Sequence, residues 1–163
     1  MASFTFNVAK ANFAKGDLAW DSTLIKAMLV VGTVPAAATG ADYDTIDACT
    51  SGAFDEHSDS GREIVCAASG TVGVVTTDDP NNYVVLDHPT GSGEGQGYIQ
   101  YDTVAADAGT DAMAGVIIYD ASIDTNDTTR IPIAYLEFSD TTIETNGGNV
   151  KVTWSSNGLI RLT

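Results

Sequence analysis

Residues 146–162 constrain the fold more than any other part of the chain. Asn146-Gly147-Gly148-Asn149 and Asn157-Gly158 are tight-turn sequences, and Val150, Val152 and Trp154 alternate with polar residues between them. Asn-Gly beside an alternating run is the strongest local signal for a β-hairpin, because the favoured turn needs positive φ at its central positions. The alternation itself belongs to a strand, whose side chains point to opposite faces in turn. A closing hairpin over Asn146–Leu162 is therefore expected. Gly115-Val116-Ile117-Ile118-Tyr119 and Arg130–Phe138 precede it as further apolar, β-branched runs.

The rest of the chain continues the pattern. Thr23–Val31 is almost unbroken apolar sequence, which predicts a strand covered on both faces. Arg62–Ala68, Thr71–Thr77, Tyr83–Asp87 and Gly97–Tyr101 read as shorter strands. They are separated by turn-forming residues such as Asp78-Asp79-Pro80-Asn81-Asn82. Pro132 lacks an N–H for the ladder, so it belongs at a sheet edge or a bulge. One helix is expected, Val8–Lys15, with Asn7 as its cap and Gly16 at its C-terminal end. Gly32–Gly61 is an irregular excursion in which Asp44–Ala48 forms a helical turn. The sum is a single, mainly β (all-β) domain over residues 1–163. It is a β-sandwich or small barrel of about 8–10 antiparallel strands with one short N-terminal helix.

Composition narrows the function classes. A chain of 163 residues is long enough to bury a core without disulfide or metal staples. Seven Lys+Arg stand against 22 Asp+Glu, a net charge of −15, with no basic residue between Lys26 and Arg62 or between Arg62 and Arg130. Binding to nucleic acid or to an anionic membrane needs clustered cations, so neither is an expected partner. Cys49 and Cys66 match no zinc or redox spacing and are expected as buried thiols. Residues 1–6 lack the cationic and apolar regions of a signal peptide, and Ala27–Val31 is too short to span a membrane; a cytosolic origin is expected.

Motifs that carry chemistry are weak. His57 lies among Asp55, Glu56, Asp59 and Ser58, but triad members converge from separate segments, and no nucleophile elbow is present. A hydrolase would need His57 or His88 to meet a nucleophile in a cleft. Asp120, Asp124 and Asp127, and likewise Asp78, Asp79 and Asn81, have the oxygen ligands calcium favours. Neither group has the spacing of a calcium loop, and turns select the same residues. Trp20, Trp154, Tyr98, Tyr101, Tyr119 and Tyr135 could line a sugar-binding face, but on strands such rings pack into cores. Gly91–Gly97 lacks the Lys of a phosphate loop. No catalytic residue, cofactor or metal is assigned, and the chain is not expected to be an enzyme.

Several segments together resemble a known class. Phe4–Lys10 has the form Phe-x-Phe-Asn-x-Ala-Lys, and Ala19–Val30 follows it. With Asp42–Ile46, Gly115–Tyr119, Ile131–Tyr135 and the Asn146-Gly147-Gly148 turn, they are similar to small virion proteins of tailed bacteriophages. Thr71–Thr110, glycine-rich and acidic, departs from the pattern. The resemblance implies a capsid decoration (cement) protein on the outside of an expanded head. Its partner would be the major capsid protein and its state a homo-oligomer, a trimer in such families. A neck, tail or fibre component is the alternative within the virion, and a carbohydrate-binding β-sandwich module the alternative outside it. Contact residues are expected in an exposed arm, residues 1–7, carrying Phe4 and Phe6, and in the 32–61 excursion, carrying Tyr43, Ile46 and Phe54.

Overall fold

The computed structural model describes residues 3–18, 25–52, 54–56, 64–65, 74–78, 83–87, 98–101, 112–122, 126, 128–139, 150–153 and 160–162. In chain order the elements are β1 (Phe4–Thr5), α1 (Asn7–Lys15), β2 (Ile25–Val31), α2 (Ala37–Gly40), α3 (Ile46–Gly52), β3 (Asp55–Glu56) and β4 (Ile64–Val65). They continue with β5 (Val74–Asp78), β6 (Tyr83–Asp87), β7 (Tyr98–Tyr101), β8 (Met113–Asp120), β9 (Ile131–Glu137), β10 (Val150–Thr153) and β11 (Ile160–Leu162).

The core is an antiparallel sheet whose main strands run β1-β9-β8-β2. The short β3 and β4 pair with the remaining side of β2. The strands at the two ends of this order do not pair, so the sheet is open and the barrel expectation is corrected. Two smaller sheets, β5-β6-β11 and β7-β10, complete the described strands. Among the described residues three helices are interspersed with the strands, so the all-β expectation also gives way to a mixed α/β chain. In β8 every residue from Met113 to Asp120 is buried. An antiparallel sheet usually leaves one face to water; here both faces of the central strand are covered.

Two bulges shape the sheet. Val30 pairs with Gly115 and Val31 with Met113, which leaves Ala114 as an extra residue on β8. Ile118 pairs with Ala134 and Tyr119 with Pro132, which leaves Ile133 as an extra residue on β9. Pro132 therefore sits at a bulge, as its missing N–H requires. The freed Ile133 carbonyl accepts the Phe6 N–H at 3.0 Å, which ties β1 to the irregular stretch. Gly115, next to the first bulge, has no room for a side chain: a Cβ there would collide with the Leu136 carbonyl and the Tyr135 ring.

Helix α1 begins at Asn7, one residue earlier than expected. The extended residue before it is Phe6, and no side chain caps the helix. Its C-terminal end follows expectation. Gly16 adopts φ 78°, and the N–H groups of Gly16 and Asp17 bond the carbonyls of Phe13 and Asn12, a Schellman closure. In α3 the Thr45 hydroxyl accepts the Ala48 N–H at 3.1 Å, an N-cap, and the helix runs on to Gly52. The turns of the expected closing hairpin lie outside the described residues, and its two described strands take other partners. β10 pairs with β7 and β11 with β6, in different sheets. Alternation specifies which face a residue takes, not which strand it pairs with.

Candidate functional site

The five residues expected to make contacts are brought together by the fold, but largely inside it. Phe6, Ile46 and Phe54 are buried in the main core cluster, while Phe4 and Tyr43 are half-buried and packed against it. The expected exposed arm is thus the edge strand β1 of the chain's own sheet. Phe4 pairs with Tyr135 and Thr5 with Ala134, and the Glu137 N–H extends the ladder to the Ser3 hydroxyl at 3.0 Å. The cause is hydrophobic: leaving two phenylalanines in water forgoes roughly 2–3 kcal/mol each. The 32–61 excursion carries α2, α3 and β3, and delivers Tyr43, Ile46 and Phe54 to the same core.

Phe54 is the hub of an aromatic cluster. Its ring lies 6.5 Å from Phe4, 6.2 Å from Phe6, 6.0 Å from Tyr43 and 5.6 Å from Tyr135, centroid to centroid. Phe4 is edge-on to Phe6 at 5.3 Å and tilted against Tyr135 at 5.5 Å. These are the offset and edge-to-face geometries that ring quadrupoles favour. The cluster joins β1, β9, and the segment that holds α3. The Ile46 N–H donates to the Arg130 carbonyl at 3.1 Å, which fastens the start of α3 to the start of β9. Tyr135 was not among the expected contact residues. Its signal was present: Tyr135 follows Pro132 by three positions, in the run whose proline announced a bulge.

The polar chemistry inside this core is confined. The buried Tyr135 hydroxyl donates to the Ala114 carbonyl at 3.0 Å, and burial with the Glu137 carboxylate nearby pushes its ionisation far above the usual range. Cys49 is a buried thiol, pushed up to about 12 by desolvation, so it is neither a ready nucleophile nor a ready ligand. Asp120 is buried at the end of β8, and its carboxylate accepts the Ser122 N–H at 2.7 Å, a local turn bond. Tyr119 is buried with the Arg130 guanidinium over its ring at 5.8 Å. Burial removes Tyr119 and Tyr135 from any sugar-binding face. His57, His88, Cys66, Trp20, Trp154, Asp79, Asn81, Asp124 and Asp127 lie outside the described residues. Among the described residues no group of three His, Cys, Asp or Glu could hold a metal. None of their helices is long and apolar enough to cross a membrane.

Beside the hub, two exposed elements of opposite charge meet. Helix α1 turns Val8, Ala9, Asn12 and Phe13 inward and leaves Asn7, Lys10, Ala11, Ala14 and Lys15 exposed. The stretch after α2 exposes Asp42, Asp44 and Asp47. Asn7 joins them: its amide donates to Asp42 Oδ1 at 2.7 Å, its side-chain oxygen accepts from Lys10 Nζ at 3.2 Å, and its N–H donates to the Ala41 carbonyl at 2.9 Å.

No protein-family model, curated protein or solved structure matches this chain.

Proposed function

We propose that this protein is a non-enzymatic structural component of a tailed-bacteriophage virion, and that it decorates the outer surface of the head. One observation carries the reading. The segments that resemble small virion proteins, 4–10, 19–30, 42–46, 115–119 and 131–135, supply β1, α1, β2, the approach to α3, β8 and β9. The described part of the resemblance therefore falls on one connected set of strands and helices, while residues 19–24 and the Asn146-Gly147-Gly148 turn lie outside the described residues. A protein that stabilises a shell must be stiff and soluble at high local concentration. The aromatic hub and the two-faced burial of β8 supply stiffness, and a net charge of −15 supplies solubility. In the same reading the two smaller sheets form the second layer of a sandwich over the open sheet. The partner is the major capsid protein, and the decorating unit is a homo-oligomer, a trimer in the families it resembles.

The docking surface is exposed and polar-rimmed on this reading, because Phe6, Ile46 and Phe54 are committed to the chain's own core. The test is to mix purified protein with expanded, undecorated heads, image the particles by negative stain, and count copies by gel densitometry. Hundreds of copies spread over the shell are expected. About a dozen at one vertex would move the protein to the neck or tail, and no binding would overturn the virion reading and leave a glycan array as the next assay.

A further inference from the structure

The charge of this chain is segregated. Residues 1–16 contain Lys10 and Lys15 and no Asp or Glu, and the first acidic residue is Asp17. Two of the seven cations thus fall in this stretch, leaving five against all 22 acids, a balance of −17 for residues 17–163. The structure gives the segregation a surface. At about 100° per residue, the exposed positions of α1 follow one another around the helix as Lys10, Ala14, Asn7, Ala11 and Lys15, over roughly 140° of its circumference. Asn7 occupies the middle of this strip with an alanine on either side, and a lysine borders each edge.

We propose that this face of α1 docks on the acidic stretch bearing Asp44 and Asp47 of a second copy of the same chain. Three observations select that occupant. The strip is cationic, so its complement is acidic, and Asp42, Asp44 and Asp47 are exposed acids of this same chain. The alanines on either side of Asn7 let a partner's backbone come close, while the lysines reach over it to carboxylates. The Asn7–Asp42 bond keeps the basic strip and the acidic stretch side by side in each molecule. A patch that is positive on one side and negative on the other is complementary to itself about a two-fold axis: each strip meets the other copy's acids, and the contact is made twice. Charge pairs of this kind set orientation and specificity; Ala11, Ala14 and the surfaces around them supply the contact. The proposal does not rest on the virion reading, whose trimer a closed two-fold contact would not build, and self-association is measured without heads.

The test is sedimentation velocity at about 150 mM salt, where the Debye length of ~8 Å leaves close pairs intact and screens the repulsion of the net charges. The wild-type chain is expected to form a reversible dimer. K10E/K15E changes the net charge from −15 to −19, and D44K/D47K changes it to −11. Each is expected to weaken the dimer about ten-fold or more. An equimolar mixture of the two is expected to restore association as a mixed dimer, because both contacts are then complementary again. Near-UV circular dichroism checks that the variants fold, and K10Q/K15Q serves as a milder form of the first. A wild-type chain that stays monomeric overturns the proposal. So does a dimer that neither reversal weakens. Tighter association of D44K/D47K also overturns it, because relief of net charge alone would give that result.

Discussion

The Tyr135 hydroxyl donates its hydrogen bond to the carbonyl of Ala114, the extra residue by which β8 bulges against β2. The same carbonyl accepts the Phe138 N–H at 3.0 Å. A bulge residue that would leave the ladder one partner short is held instead from β9 by a side chain and a backbone group. The tyrosine that completes the aromatic hub thus also fixes the register of the central pair of strands.

Tyr135→Phe tests the polar half of that arrangement. It keeps the ring contacts and leaves Ala114 with its Phe138 partner, so the expected cost is about 1 kcal/mol. The midpoint of urea unfolding should fall with an unchanged slope.

Phe54 tests the apolar half. Phe54→Ala removes the ring that touches four others and is expected to cost about 3–5 kcal/mol. A double-mutant cycle of Phe54→Leu with Phe6→Leu should show a coupling of about 0.5–1.5 kcal/mol, because the two rings are in contact. Additive effects would mean that the cluster is held by burial alone.

Gly115→Ala places a methyl group against the Leu136 carbonyl and the Tyr135 ring. Since neither the strand backbone nor the packed ring can yield freely, about 1–3 kcal/mol of destabilisation is expected. Thermal unfolding followed by circular dichroism measures it.

Alkaline pH acts on Cys49 in a definite direction. Its folded-state ionisation lies near 12, against about 9 for a thiol in water. The unfolded chain releases this proton first, so stability is fully present below pH 9 and is lost as pH rises from 9 toward 12. Tyr135, shifted in the same direction, adds to the loss at the upper end. Urea midpoints at pH 8 and pH 10.5 should differ for the wild-type chain, and the difference should shrink in Cys49→Ala.

The strands were largely legible in the sequence, and their partners were not. Tyr83–Asp87 and Ile131–Glu137 appear where alternation and β-branching put them, and Pro132 sits at the bulge its missing N–H demands. Alternation could not show that Val150–Thr153 and Ile160–Leu162 would separate, because either strand offers a suitable face to several neighbours. In helix α1 the polar Asn12 lies on the inner face, where its amide is satisfied by the Val8 carbonyl at 2.8 Å. Phe4 and Phe6 were read as an arm because nothing local reveals that β9 will offer them an edge. The five candidate contact residues were read as partner-binding; the fold gathers them into or against its own core, which no local feature of their segments announces.

The pairing of Phe4 with Tyr135 spans about 130 residues of chain. At a translation rate of about 5–20 residues per second, Phe4 is made on the order of 10 s before its partner strand exists. Through that interval two phenylalanines stand without a fold to enter, and the hub can close only after almost the entire sheet has left the ribosome. Long-range closure of this kind makes for slow folding. Closure of the hub is therefore a late event in the making of each molecule.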